Sequence, residues 1–113
     1  MNKLGSEAET LAADYLQQQG LTKIASNYSC RFGEIDLIMR DGKTLVFVEV
    51  RMRSNPNFGG AGESITASKK LKLGRTAEHY LQRFGGTACR FDAILMHKPG
   101  TQDIEWIRNA FDI

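Results

Sequence analysis

The chain has 113 residues, 42% hydrophobic and 25% charged, with 11 Gly and only 2 Pro, which fits one globular domain over 1–113 and excludes a disordered or fibrous chain. No apolar run exceeds four residues, against the roughly 20 a membrane-spanning helix needs, and Met1–Gly5 opens on no apolar signal core, so a cytoplasmic protein with no membrane partner is expected. The net charge of +2 is unevenly spread: 1–50 carry 5 Lys/Arg against 7 Asp/Glu, 51–83 carry 7 against 2, and 84–113 carry 3 against 4.

Ser6-Glu7-Ala8-Glu9 reads as a helix start, with Ser6 as N-cap and Glu9 as its capping-box partner. Leu11, Ala12, Tyr15 and Leu16 continue at helical spacing and Gly20 stops the helix, which places it at about 6–19. Strands are expected at Ile24–Cys30, Glu34–Met39 and Thr44–Arg51, with a tight turn at Asp41-Gly42, as an antiparallel meander. Residues 54–62 (SNPNFGGAG) form a loop, and a helix follows over about 64–84. Its apolar stripe is Ile65, Leu71 or Leu73, Ala77, Tyr80, Leu81 and Phe84, and Gly85-Gly86 ends it. Ala88–Met96 and Ile104–Ile107 supply two more strands, so the order is α-β-β-β-α-β-β in an α/β fold. Cys30 and Cys89 are isolated and read as free thiols in strands. With only His79 and His97 to add, a structural zinc site is effectively excluded.

Glu49 interrupts the most apolar strand of the chain, and a carboxylate there must be exposed, paired or bound to a cation. Alternation puts Phe47, Glu49 and Arg51 on one face. If the hairpin loop is Asp41-Gly42, Glu34 faces Glu49 directly; if the loop spans four residues, Asp36 does. Either register gathers Glu34, Asp36 and Glu49 on one face, where like charges oppose one another. Hard cations such as Mg²⁺ are held by carboxylates of this kind. The alternative is a wet surface with Arg51 and Arg31 as ion-pair partners.

Gly33-Glu34-Ile35-Asp36-Leu37-Ile38 followed by Val46-Phe47-Val48-Glu49-Val50-Arg51 resembles the YraN-like family, as do Gly5 with Glu9-x-x-Ala12-x-x-Tyr15-Leu16, and Arg90-Phe91-Asp92. That family looks like a compact member of the restriction-endonuclease-like (PD-(D/E)xK) superfamily, near the archaeal Holliday-junction resolvases. The resemblance implies a mixed central sheet flanked by helices and a Mg²⁺- or Mn²⁺-dependent endonuclease acting on structured or branched DNA in repair or recombination. Carried over by position, Asp36 and Glu49 are metal ligands, Glu9 completes the site, and Arg51 stands where the motif has Lys. Arginine holds phosphate bidentately but cannot act as a base. A binding module without cleavage is therefore the alternative expectation. Arg53, Lys69, Lys70, Lys72 and Arg75 flank the site in sequence and are expected to hold the phosphate backbone, with recognition by shape. Junction enzymes act as symmetric dimers, which makes a homodimer the expected assembly. The non-metal readings are a capping box for Glu9, an Arg31 partner for Glu34, and packing roles for His79, His97 and Trp106. Asp92 is expected to pair with Arg90 or a helix end.

Overall fold

The structure, a computed structural model, describes residues 3–52, 66–86, 88–96 and 104–111, with backbone alone for 3–6. Helix α1 (Lys3–Gln18) is followed by β1 (Thr22–Cys30), β2 (Gly33–Asp41), β3 (Thr44–Met52), α2 (Ala67–Phe84), β4 (Ala88–Met96) and β5 (Ile104–Ile107). The expected order of elements is the observed one. The strands form one sheet in the order β1-β2-β3-β4-β5, antiparallel except for the parallel β3–β4 pair, whose connection carries α2. A parallel pair requires such a crossover, because a tight turn cannot reverse the chain twice. Among the described residues no helix is long and apolar enough to cross a membrane.

Each helix covers one face of the sheet. Ala8, Ala12, Ala13 and Leu16 of α1 pack on Leu37, Met39, Val46, Val48, Ile94 and Met96. Leu73, Ala77 and Tyr80 of α2 pack on Ile35, Ile38, Leu45, Phe47, Phe91 and Ala93. β3 thus alternates cleanly, with Val46 and Val48 under α1 and Phe47 under α2. The small side chains of α1 let it lie close to the sheet.

Two helix starts change, and two open alternatives are settled. Helix α1 begins at Lys3, so Ser6 lies inside it and Glu9 is not the third residue of a capping box; the good helix formers Lys3 and Leu4 extend it past the cap signal. Its end is as read: Gly20 has φ 101, its N–H donates to Gln17 O, and Leu21 N–H donates to Leu16 O, which closes a Schellman motif. Helix α2 is capped by Thr66, whose Oγ1 accepts from Lys69 N at 3.2 Å, so it starts three residues later than expected. Leu73 is the core residue and Leu71 is 55% exposed, because Leu73 lies one turn before Ala77 and Leu71 points away from it. The second hairpin turns at Gly42-Lys43, flanked by Asp41↔Thr44, with φ 63 at Gly42. Its two-residue loop sits one position later than Asp41-Gly42, which selects the register with Asp36 toward Glu49.

Ile65, Arg53 and His97, and the 54–62 loop, lie outside the described residues.

Candidate functional site

The β2–β3 ladder runs from Asp41↔Thr44 to Leu37↔Val48 and stops one step before Asp36 would meet Glu49. Beyond that step β3 remains fastened to β4 as far as Met52↔Met96. The freed N–H of Val50 donates to Oδ2 of Asp36 at 2.9 Å. A side chain therefore takes over from the strand backbone, and the two strand ends separate around it.

Asp36 is the hub of the acids. One oxygen from each of Glu9, Glu34 and Asp36 lies within 4.8 Å of the others. Asp36 and Glu49 line the same cleft as neighbours. Burial, the adjoining Glu49 carboxyl and the charge of Glu9 push the Asp36 carboxyl up to about 8, against the lowering effect of the Val50 amide. The donors are carboxylate oxygens throughout, with no Cys or His in the group, which suits a hard divalent cation.

Glu49 is buried at 4% exposure. Its Oε2 has Lys69 Nζ at 3.0 Å and Arg51 Nη2 at 3.2 Å. The two contacts are ion pairs without hydrogen-bond geometry, and the Nε of Arg51 is also buried without a partner. Two cations thus meet one buried carboxylate from opposite elements, one from β3 and one from the first turn of α2.

The acids open into a cleft of about 470 Å³. Gly33, Glu34, Asp36 and Glu49 form one wall, and Thr66, Ser68, Lys69, Lys72 and Leu73 of the α2 start form the other. Glu9 reaches the acids from α1. Of the remaining expected phosphate-holding cations, Lys70 lies over the Phe111 ring at 5.7 Å, and Arg75 is exposed outside the cleft lining.

Glu34 departs from its expected pairing. Its Oε2 accepts from Ser29 Oγ at 2.9 Å, whereas the Arg31 guanidinium lies over the Phe32 ring at 4.8 Å. Asp92 is fully buried and fully partnered, by Arg90 Nε at 3.0 Å, Trp106 Nε1 at 2.9 Å and Asn109 N at 3.0 Å. Arg90 also pairs with Asp41 at 3.0 Å, so this network ties β2, β4 and β5 together away from the acids. Trp106 packs edge-on to Tyr15, and His79 Nδ1 lies 2.6 Å from Tyr28 Oη, both in packing roles. Cys30 and Cys89 are free. Sequence reasoning gathered Glu34 on the face of Asp36 and Glu49 but read it as an Arg31 partner; the structure brings its carboxylate to Glu9 and Asp36.

A model of the family described as "Uncharacterised protein family UPF0102" matches residues 8–96. A UPF0102 protein of Methylobacillus flagellatus is 61% identical over 111 residues, covering 98% of this chain and 98% of its own. One from Nitrosomonas europaea is 62% identical over 109 residues, covering 96% and 92%. One from Ectopseudomonas mendocina is 46% identical over 114 residues, covering 98% and 96%.

Proposed function

The chain belongs to the UPF0102 family, the YraN-like family that its GEIDLI and FVEV motifs resemble, and we propose that it is a Mg²⁺- or Mn²⁺-dependent endonuclease of the restriction-endonuclease-like class acting on structured DNA. One observation carries this reading: Asp36 and Glu49, with Glu9 close to Asp36, line a cleft whose other wall carries Lys69 and Lys72, Lys69 reaching Glu49. An acid wall facing a cationic wall is the arrangement a phosphodiester needs, with a cation between its oxygens and the acids and ammonium groups on the other side.

Asp36, Glu49 and Glu9 would hold the cation. It would neutralise the phosphoryl oxygens and lower the pKa of an attacking water. The residues of the chain do the rest. The Val50 amide fixes one oxygen of Asp36 and so orients its carboxylate. Arg51, a permanent cation 3.2 Å from Glu49, holds that acid in place. Lys69 touches the same oxygen from the cleft side with its side chain 42% exposed, which leaves ammonium protons free for a phosphate. Thr66 and Ser68, at the start of α2, add hydroxyl donors beside the positive end of the helix. The second reading, a module that binds branched DNA without cutting, is favoured by Arg51 itself, since no lysine occupies that position to move a proton.

Binding and cutting separate in one experiment. Labelled four-way junction, flap and linear duplex are incubated with the protein and Mg²⁺ or Mn²⁺ at two salt concentrations. Salt-sensitive retention with metal-dependent product supports the nuclease. Salt-sensitive retention without product under either metal supports the second reading. Neither retention nor product excludes both.

A further inference from the structure

The cleft has an exit along α2. Steps of three and four residues put Lys72, Arg75, His79 and Arg83 on one flank of that helix, and Lys72 lines the cleft. This flank borders β1. At its cleft end a Cβ on Gly33 would stand 3.4 Å from Thr76 Oγ1 and 3.8 Å from Lys72 Cβ, so the β1–β2 turn lies against α2 there. Further along, Tyr28 Oη lies 2.6 Å from His79 Nδ1, and the Tyr28 ring meets Tyr80 at 5.2 Å and Phe84 at 6.3 Å between centroids. The flank thus runs beside β1 for about 18 Å, from Lys72 to Phe84.

Cations and rings gather on this side. The one acid of α2, Glu78, turns to the opposite flank, where it lines a hollow with Cys89, Arg90 and Asn109. β1 carries no Asp or Glu. A guanidinium lies over a phenyl ring at each end of the flank: Arg31 over Phe32 at 4.8 Å in the β1–β2 turn, and Arg83 over Phe84 at 5.2 Å where α2 ends. Phe84 is 58% exposed, the most of any large hydrophobic among the described residues. A lone exposed ring needs no explanation. Two rings under guanidinium groups, joined by a run of cations that leads from the cleft, match the needs of an unpaired strand. Its phosphates meet the cations, and its bases stack on rings and guanidinium planes. A closed duplex offers the same phosphates but keeps its bases stacked inside.

We infer that the β1-side flank of α2 is a track for a single-stranded DNA arm leading out of the cleft, with Lys72, Arg75 and Arg83 on its phosphates and the Phe32 and Phe84 stacks under its bases. This rests on the nucleic-acid reading above and narrows it to substrates that carry an unpaired arm.

The test is fluorescence anisotropy of the full chain with two labelled probes, a blunt duplex and the same duplex carrying a single-stranded tail of about 12 nucleotides. Binding is measured in EDTA and again with Ca²⁺, with each probe checked for cutting on a gel and melting as a fold control. The tailed duplex binds about tenfold or more tighter than the blunt one. Phe84→Leu, which keeps apolar packing on Tyr80 and removes the ring, weakens binding of the tailed probe by about fivefold or more and leaves the blunt duplex unchanged. Arg75→Gln and Arg83→Gln each lower the slope of log affinity against log salt by about 0.7 on the tailed probe alone. Lys70→Met, beside Phe111, changes neither probe's slope. Equal affinity for the two probes, or equal losses on both in the variants, overturns the track and leaves a protein that takes closed duplex. If Phe84→Leu does not fold, the two arginine variants decide the matter. A wild-type dimer that Phe84→Leu converts to monomer in sedimentation, with no preference for the tail, puts a second copy on this flank and overturns the track as well. Retention of neither probe under either condition removes the nucleic-acid reading itself, and the track with it.

Discussion

Oδ2 of Asp36 accepts the backbone N–H of Val50 at 2.9 Å, at the point where β2 and β3 part. This one bond joins fold and site. It satisfies an amide that the ladder leaves free, and it holds the central acid beside Glu49, Glu9 and Glu34.

The position makes Asp36 a weak acid, with its carboxyl raised from 3.8 to about 8. A group that binds its proton more tightly when folded adds stability that is fully present below pH 3.8 and lost as pH rises through about 8. In EDTA the chain should therefore melt at a lower temperature at pH 8.5 than at pH 5.5, with this group contributing at most about 1.4 kcal/mol per pH unit. Asp36→Asn keeps an acceptor for Val50 and cannot ionise. Its melting temperature should exceed that of the wild type at pH 8.5, with the difference shrinking at pH 5.5. Equal shifts at both values would show that Asp36 ionises freely in the fold.

A cation competes with that proton. Mn²⁺ or Mg²⁺ should raise the melting temperature, more at pH 8 than at pH 6, because binding requires the acids deprotonated. At 100 times the dissociation constant the stabilisation is about 2.7 kcal/mol. Glu49→Gln should abolish the shift, and differential scanning fluorimetry reads it directly.

The cationic wall makes a separate prediction. Lys69 and Lys72 line the cleft and Lys70 lies against Phe111. Lys69→Met or Lys72→Met should reduce the slope of log affinity against log salt for duplex or junction DNA by about 0.9 per lost contact, with Lys70→Met leaving it unchanged. Fluorescence anisotropy across a salt series measures this. Equal effects of all three would mean diffuse attraction to the surface.

Asp92 should matter for stability alone. Removing one partner of a buried ion pair typically costs about 3–5 kcal/mol, and Asp92→Asn weakens a carboxylate bonded to Arg90, Trp106 and Asn109. Urea unfolding should show that loss while Mn²⁺ affinity stays at the wild-type value. A variant with full stability and lost Mn²⁺ binding would place Asp92 in the site.

The elements were legible because each rests on local chemistry: the Gly20 stop, the β-branched run of β3 and the aromatic and aliphatic spacing of α2. The convergence of Asp36 and Glu49 was legible too, since an even register shift keeps both on one face. The hairpin register stood open between two, because Asp41-Gly42 and Gly42-Lys43 carry the same glycine signal, and the structure adopts the one that turns Asp36 toward Glu49. The face of Glu34 was legible from the same alternation, but its grouping with Glu9 was not, because that depends on how α1 packs beside the sheet. Nor could periodicity tell Lys69 from Lys70: adjacent lysines on a helix differ by about 100°, and only the packing of Leu73 against the sheet fixes which one enters the cleft.

The central claim is that these acids support metal-dependent cleavage. The most direct measurement is single-turnover cleavage of a labelled four-way junction by the wild type, Asp36→Asn and Glu49→Ala, with Mn²⁺ and with EDTA. The account predicts product from the wild type only with metal, and a loss in both variants of about 100-fold or more, the scale of losing an electrostatic element of an active site. Product that persists in EDTA or in both variants, or no wild-type product while the junction is bound, would contradict it.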